Sequence, residues 1–375
     1  MVNSDFQEIA HCGGKITFSI TTSDGRRQYQ IGFTHSSPTP SVTFGVWALP
    51  QGIAVGVYNL IGSEPPPVPG CFPVLISSDS EGMFGHQCPA CNGYWRCRSG
   101  GFVCPYCAAN IDTHESLTDA QRQYVAQYCQ MLSAALEEEQ DGEHTIDMNA
   151  VADAVGKASK KPPFYYAEQS QQNKFTCDAC GQFNDVLGIF GYCSMCGTRN
   201  GLQELDASIR RLRDRINAAG KYEDCVPDAV SAFDSFAAQY AKELLRRIPM
   251  TPHRRSLFEK PFHDLKSVAE RFRSAFDIDV LSGLSDAEIN FCTIRFHRRH
   301  VYEHQGGEAD HKYIEDSGDT TVQPKQALRE TQETVHRLAG LVFRMAANLH
   351  SGFHTIFPPH EAPITEYRRR KKATT

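Results

Sequence analysis

The 375-residue sequence lacks any hydrophobic run that approaches the ~18 consecutive apolar residues of a membrane span. Its N-terminus lacks a cationic segment followed by an apolar stretch, so we expect no secretory signal. An excess of positive charge is also missing, because the formal net charge is -6. These absences predict a cytoplasmic protein with no membrane partner, in which any nucleic-acid contact comes from local basic patches.

Cysteine, in contrast, is abundant, with 14 residues. In a reducing compartment we expect such cysteines to bind metal more readily than to form disulfides. Eight of them form two clusters of identical spacing, in which the pairs CPAC and CPYC, and then CDACG and CSMCG, are separated by 12 residues. The predicted ligands are Cys88, Cys91, Cys104, Cys107, Cys177, Cys180, Cys193 and Cys196.

Each cysteine pair fits a tight knuckle, and two knuckles joined by a hairpin complete a tetrahedron around Zn²⁺, as in a zinc ribbon. A closed four-thiolate site has no open position, so we expect two structural zinc ions and no zinc catalysis. An iron–sulfur centre or redox dithiols are the alternatives. Gly181 and Gly197 suit the turns that close the second pair of knuckles. Cys97 lies inside the first cluster and is either a competing ligand or a free thiol.

Hydrophobic periodicity divides the rest of the chain into a β-rich part and a helical part. Before residue 80, five short alternating segments include KITFSITT and RQYQIGFTH around the hairpin signal SDGR, and they predict a small barrel or sandwich. From residue 202 onward the apolar period becomes helical, with Leu205, Ile209 and Leu212 on one face. Ser285 and Glu288 form a capping-box pattern at the start of a later helix. Four or five such helices with short connections predict an α-helical bundle.

The predicted fold class is therefore multi-domain α+β, with a small N-terminal β domain, two zinc ribbons and a C-terminal all-α bundle. The predicted segments are 1–80 (β module), 81–115 (first ribbon), 116–174 (helix and linker), 175–201 (second ribbon), 202–357 (helical bundle) and 358–375 (a disordered basic tail). We expect the β module to be structural or to bind a protein partner.

The stretch RRHVYEHQGG, residues 298–307, concentrates arginine and histidine at the end of a predicted helix. Arg299, His300 and His304 give the pattern R-[polar]-x3-H, which resembles the motif of the HEPN family of helical-bundle domains. Most members of that family are metal-independent endoribonucleases. The resemblance covers roughly residues 202–355 and implies a HEPN-like bundle that forms a homodimer with two motif helices in one cleft. It also implies a role in toxin–antitoxin or anti-phage defence.

The residue chemistry agrees with this resemblance. A histidine can move a proton while the RNA 2′-OH attacks the neighbouring phosphate, and an arginine can hold the phosphate oxygens as negative charge develops. Residues five apart lie about 140° apart on a helix, so the pair does not converge easily mid-helix. We expect Gly306 and Gly307 to end the helix and to let His304 turn back toward Arg299.

Two other interpretations of the motif remain open. His297, His300 and His304, with His311 nearby, could bind a transition metal and make a hydrolase, although the flanking arginines oppose a cation. Alternatively, the motif is structural, with Arg299 and Glu303 forming a surface ion pair and the cationic helix end opposing the helix dipole.

The sequence offers two weak candidates for RNA contact. Trp95 and Arg96 in the first ribbon could stack on bases and bind phosphates, and Arg254 and Arg255 form a basic cluster in the helical part. The leading prediction is an endoribonuclease that uses its ribbons for target recognition. The alternative is a non-catalytic adaptor whose zinc ribbons bind RNA or protein.

Overall fold

The computed structural model describes residues 15–34, 43–59, 64–78, 82–98, 101–138, 141–147, 172–218, 221–259, 262 and 264–373. The predicted linker, residues 157–174, falls outside these ranges apart from residues 172–174. The chain divides into two compact units, Met1–Thr198 with His360–Thr375 and Arg199–Pro359. The described chain is mixed α+β, as expected. No helix in the described part combines the length and apolar character that crossing a membrane requires.

The N-terminal part of the first unit contains two three-stranded antiparallel sheets. The first has the order β2-β1-β8 and the second β4-β3-β5. Their strands are β1 (Lys15–Ser23), β2 (Arg26–Thr34), β3 (Thr43–Ala48), β4 (Ala54–Tyr58), β5 (Phe72–Ser77) and β8 (Gly142–Asp147). The predicted hairpin is confirmed, because β1 and β2 pair around a two-residue turn at Asp24 and Gly25, both with positive φ.

The core of these sheets extends beyond the predicted boundary at residue 80. Helix α1 (Asp119–Glu137) begins with a capping box at Thr118. Its buried Tyr124, Tyr128 and Leu132 share one hydrophobic cluster with Phe18 of β1 and with residues of β3 and β5. The segment Gly142–Asp147, which follows α1 in the chain, forms the edge strand β8 and pairs antiparallel with β1. The β module therefore depends on α1 for its core and on β8 for one of its strands.

Two cysteine-containing hairpins form a single four-stranded sheet of order β6-β7-β10-β9. Its strands are β6 (Phe84–Gln87), β7 (Tyr94–Cys97), β9 (Gln172–Thr176) and β10 (Phe183–Leu187). β7 pairs antiparallel with β10, with Arg96 opposite Asp185 and Cys97 opposite Asn184. The two ribbon-like segments are therefore fused edge to edge, which their sequence spacing did not reveal.

An approximate two-fold axis relates the two hairpins. Corresponding positions lie 89 residues apart, as with Cys88 and Cys177. The backbone bonds from Val103 N to Ser194 O and from Tyr192 N to Pro105 O, both 2.9 Å long, obey this relation, because each bond maps onto the other. Arg96 and Asp185 also correspond to each other, and they face each other across the β7–β10 pair. The axis therefore passes through an Arg–Asp pair.

The second unit is helical. Its elements are α2 (Gly201–Ala218), α3 (Cys225–Arg247), α4 (Pro252–Ser256), α5 (Leu265–Phe276), α6 (Asp286–His304), α7 (His311–Ser317) and α8 (Gln332–Ile356). The predicted apolar face of α2 is buried, and the capping box of Ser285 and Glu288 is present at the start of α6. α8 packs against α2 and α3, and α3 packs against α6, where the Phe233 and Phe296 rings lie 5.7 Å apart. The unit is a bundle held by long-range packing of amphipathic helices.

The expectation of a disordered basic tail is wrong. Residues Glu361–Ala373 form helix α9, which belongs to the first unit. Ile364 is buried against Cys177, Cys193 and Cys196. An apolar anchor on the second cysteine cluster therefore holds this otherwise polar helix in place.

Candidate functional site

The eight predicted cysteine ligands come together as two groups of four, and all four Sγ atoms of each group lie within 4.8 Å of one another. In the first group, Sγ distances are 3.6 Å for Cys88–Cys107 and for Cys91–Cys104. In the second, they are 3.7 Å for Cys177–Cys196 and 3.5 Å for Cys180–Cys193. None of the eight forms a disulfide. Each group could hold a metal ion.

Knuckle geometry explains why these spacings work. In each knuckle the backbone turns back on itself, so that Cys177 N donates to Gln182 O and Gly181 N donates to Cys177 O. Gly181 and Gly197 have φ of 73° and 76°, which confirms the role predicted for them. Met195 N points at Cys193 Sγ at 3.4 Å. The peptide N–H groups therefore face the sulfur atoms and favour their charged form.

Cys97 is not part of either four-cysteine group. Its side chain is fully buried in the fused sheet, and burial raises the pKa of its thiol to about 11. A neutral, buried thiol of this kind is neither a strong metal ligand nor a reactive nucleophile. The free-thiol interpretation is the one the geometry favours.

The RNA-contact prediction for the first ribbon is wrong. Trp95 is completely buried and Arg96 is 2% exposed, because β7 is an inner strand of the fused sheet. The Trp95 ring stacks on His86 with centroids 5.2 Å apart, and Arg96 Nε lies 3.3 Å from Asp185 Oδ2. These side chains stabilise the ribbon pair and cannot reach a base. Arg254 and Arg255 on α4 are exposed, so the prediction for them stays open.

The motif residues lie on the last turns of α6. Arg299 is partly exposed and its guanidinium contacts two carboxylates, Glu303 at 3.2 Å and Asp234 of α3 at 3.8 Å. The Arg299–Glu303 ion pair expected from the sequence is confirmed. His304 Nε2 lies 3.9 Å from the same Glu303 carboxylate. Arg299 and His304 therefore meet through Glu303 and not directly.

The expectation that His304 turns back toward Arg299 is wrong. His304 is the last residue of α6, and the turn begins only at Gly306 and Gly307, with φ of 65° and 83°. His304 consequently stays on the helix one turn from His300, and their ring centroids lie 4.8 Å apart. The helix end presents two imidazoles side by side to solvent, with 61% of the His304 side chain exposed.

The histidine metal site is not formed. Within the described ranges, which include His297, His300, His304 and His311, the two four-cysteine groups are the only clusters of potential ligand atoms at coordinating distance. Two neighbouring imidazoles without a third close ligand do not make a tetrahedral site. The alternative of a metal-dependent hydrolase therefore has no geometric support.

The motif contains a buried arginine that sequence reasoning missed. Arg298 donates to Asp319 at 2.8 Å, to Glu330 at 2.8 Å and to the Tyr313 hydroxyl at 3.1 Å. Burial alone would raise the pKa of the Asp319 carboxyl, but hydrogen bonds from Arg298, Thr321 and Tyr313 outweigh it and hold that pKa well below its usual range. Helical periodicity could have predicted this burial, because Arg298 lies on the same helix face as the buried Ile294 and Val301.

A polar contact between α3 and α8 was also not anticipated. The Tyr240 hydroxyl of α3 lies 2.7 Å from His350 Nδ1 of α8, and the His350 and His354 rings are 4.6 Å apart. Burial, with lesser effects from His354 and Arg199, lowers the pKa of His350 to about 3. His350 is therefore neutral at physiological pH and acts as a hydrogen-bonding core residue.

Comparison of this chain with protein-family models, with curated proteins and with solved structures found no match.

Proposed function

We propose that both four-cysteine groups bind zinc as structural ions. Four thiolates at the usual Zn–S distance of about 2.3 Å lie about 3.8 Å apart at the corners of a tetrahedron. The four Sγ distances of 3.5 to 3.7 Å lie close to this spacing, and all Sγ atoms of each group lie within 4.8 Å of one another. When bound, zinc would tie the knuckles of each hairpin together and supply folding free energy to small units that have little core of their own.

We propose further that the protein is a metal-independent endoribonuclease whose active site includes Arg299, His300 and His304. The observation that carries this proposal is the exposed pair of imidazoles beside Arg299 at the end of α6. One imidazole can accept the proton of the attacking 2′-OH while another donates a proton to the leaving 5′-oxygen. Arg299 would hold the non-bridging phosphate oxygens as negative charge builds on them.

The single-chain geometry favours a dimeric site. Within one chain the guanidinium of Arg299 is already paired with Glu303 and Asp234. The two imidazoles lie side by side on a single helical turn, so within one chain they face a phosphate from the same side. A second copy of α6 packed against the first would bring four imidazoles and two guanidiniums around one phosphate. The homodimer implied by the resemblance to the HEPN family would meet this requirement.

The test is cleavage of transfer RNA and total RNA in the presence of EDTA by wild type, Arg299→Ala and His304→Ala. His336→Ala is the matched control, because His336 only bonds Asn217 at the surface of the bundle. We expect 2′,3′-cyclic phosphate ends from wild type and the control, and at least a hundredfold loss in the other two variants. Circular dichroism in parallel checks that EDTA has not unfolded the cysteine sites. Cleavage that survives both substitutions would exclude this active site.

A non-catalytic RNA-binding adaptor is the second candidate, and one observation favours it. Arg299 already has two carboxylate neighbours, which reduce its attraction for a phosphate. RNA binding by the wild-type protein with no cleavage product at any protein concentration would support the adaptor and exclude the nuclease.

A further inference from the structure

Helix α9 forms one wall of a cleft on the second cysteine site. It is held there by buried Ile364 and by His360, whose N–H donates to Cys196 O at 2.8 Å. The other wall is the knuckle that carries Cys180. The cleft has a volume of about 820 Å³ and is lined mainly by Gln182, Met195, Glu366, Tyr367, Arg370 and Lys371.

The cleft has the chemistry of an anion site with an aromatic wall. Residues 368–372 are five consecutive cations, Arg-Arg-Arg-Lys-Lys, and all five are exposed. Glu366, which also lines the cleft, accepts hydrogen bonds from Arg369 and Arg370, both at 3.1 Å, and its carboxylate offsets part of their charge. The helix as a whole keeps a net charge of +3. A run of like charges on one helix is unfavourable by itself, so a polyanionic partner would stabilise it.

Tyr367 is placed where a base could stack. One side of its ring packs on Gly181, where an added Cβ would lie 2.4 Å from the ring. Only glycine permits this approach, so the ring is seated against the knuckle backbone while the residue stays partly exposed at the cleft. Aromatic rings beside cations are the usual elements of single-strand nucleic-acid grooves, because a ring stacks on any base while cations follow the phosphates.

We propose that this cleft binds single-stranded RNA, with Arg370 and Lys371 on phosphates and Tyr367 against a base. The inference rests on the proposed function, since it supplies the RNA-binding surface that the buried Trp95 and Arg96 cannot provide. It assigns recognition to the second cysteine site and its C-terminal helix. A zinc tetrathiolate carries two negative charges, and a helix of net charge +3 more than offsets them.

The experiment measures binding separately from cleavage. The probe is a short fluorescent 2′-O-methyl oligouridine, which has no 2′-OH and cannot be cleaved by the proposed reaction. The full-length chain is titrated by fluorescence anisotropy over a range of salt concentrations. The test variant is Arg370→Gln with Lys371→Gln, and the matched control is Arg368→Gln with Lys372→Gln, which removes the same charge from the same helix outside the cleft.

For the cleft variant we expect an affinity loss of about tenfold or more near 0.1 M salt. The slope of log affinity against log salt should fall by about 1.4, since each phosphate contact on a single strand contributes about 0.7. The control pair should lose clearly less. Tyr367→Leu, which preserves an apolar contact on Gly181, should weaken binding severalfold without changing the salt slope.

The inference is overturned if both charge variants bind the probe equally well, or if the cleft variant binds it as tightly as wild type. In the second case, a lower melting temperature and weaker zinc retention in the cleft variant would show that the cations only offset the thiolate charge. Tyr367→Leu keeps the test valid if the double variant does not fold. If the wild type binds the probe but does not cleave unmodified RNA, the nuclease proposal is excluded and the RNA-binding cleft is retained.

Discussion

Replacing Arg298 should destabilise the helical unit far more than replacing its neighbour Arg299. The Arg298 side chain is 7% exposed and bonds two carboxylates, Asp319 and Glu330, whose side chains are each 1% exposed. The Arg299 side chain is 21% exposed, and its partners are 27% and 31% exposed. Arg298→Met and Arg299→Met therefore remove the same charge from adjacent positions in very different surroundings.

The expected magnitudes follow from burial. Removing one partner of a buried, hydrogen-bonded ion pair leaves an uncompensated charge and costs roughly 3–5 kcal/mol. In Arg298→Met, Glu330 would still have Arg295 as an ion-pair partner at 3.7 Å. Most of the lost stability should therefore come from Asp319, which would be left without a cation. A partly exposed ion pair contributes roughly 0–1 kcal/mol, which is the loss expected for Arg299→Met. The two variants should differ by several-fold in their effect on stability.

The pH dependence gives an independent check. In the wild type the pKa of Asp319 lies below its unfolded value, so its stabilisation is complete above about pH 4 and is lost as the pH falls through the folded pKa. In Arg298→Met the buried carboxyl loses its cation, and burial then raises its pKa. That carboxyl takes up a proton at a higher pH than in the wild type. The stability deficit of the variant should therefore narrow as the pH is lowered from 7 toward 4.

Hydrogen exchange followed by mass spectrometry in a urea series is the suitable assay. Unfolding of a chain with two compact units is not a single two-state transition, so peptides from α6 and α7 must be followed individually. Peptides from the fused cysteine sheet serve as the internal reference. Equal losses for Arg298→Met and Arg299→Met, or a larger loss for Arg299→Met, would refute the reasoning.

Three further predictions concern the other buried groups. Arg96→Asp should lower the free energy of unfolding by roughly 3–5 kcal/mol, and adding Asp185→Arg should restore most of that stability in thermal melts. A double variant no more stable than the single variant would contradict the two-fold relation. With zinc in both proposed sites, Cys196→Ser should lower the zinc content from two ions per chain to one and expose α9 to trypsin. Cys97→Ser should retain both ions by elemental analysis. Because the folded pKa of His350 is about 3, the helical unit should lose stability as the pH falls from about 6.5 toward 4. His350→Phe should make the free energy of unfolding, measured in denaturant titrations, less dependent on pH in this range. An unchanged pH dependence would exclude His350 as its source.

Features set by local sequence could be predicted. The cysteine knuckles need only a three-residue spacing and a residue that accepts positive φ, as at Gly181. The capping box at Ser285 and the apolar face of α2 depend on residues within one or two turns of each other. The hairpin at Asp24 and Gly25 is equally local. Each of these was correctly placed because its physical cause lies within a few residues.

Features set by distant pairing could not be predicted. Trp95 and Arg96 are consistent with an exposed hairpin until β7 acquires a second neighbour, β10, from a segment nearly ninety residues away. The basic helix α9 has a weakly amphipathic sequence, and only Ile364 buried on the cysteine cluster explains its order. In α6, adjacent residues are about 100° apart, so a motif that names Arg299 says nothing about its buried neighbour Arg298.

The Arg96–Asp185 pair determines which of the two cysteine hairpins can pair with each other. At a two-fold axis a residue meets its own counterpart, so two identical hairpins would bring Arg against Arg or Asp against Asp. Like charges at this depth, with side chains only 3% and 1% exposed, would prevent pairing. The residue on the two-fold axis always faces its own counterpart. Opposite charges there therefore favour pairing of the two different hairpins over pairing of like hairpins from separate chains.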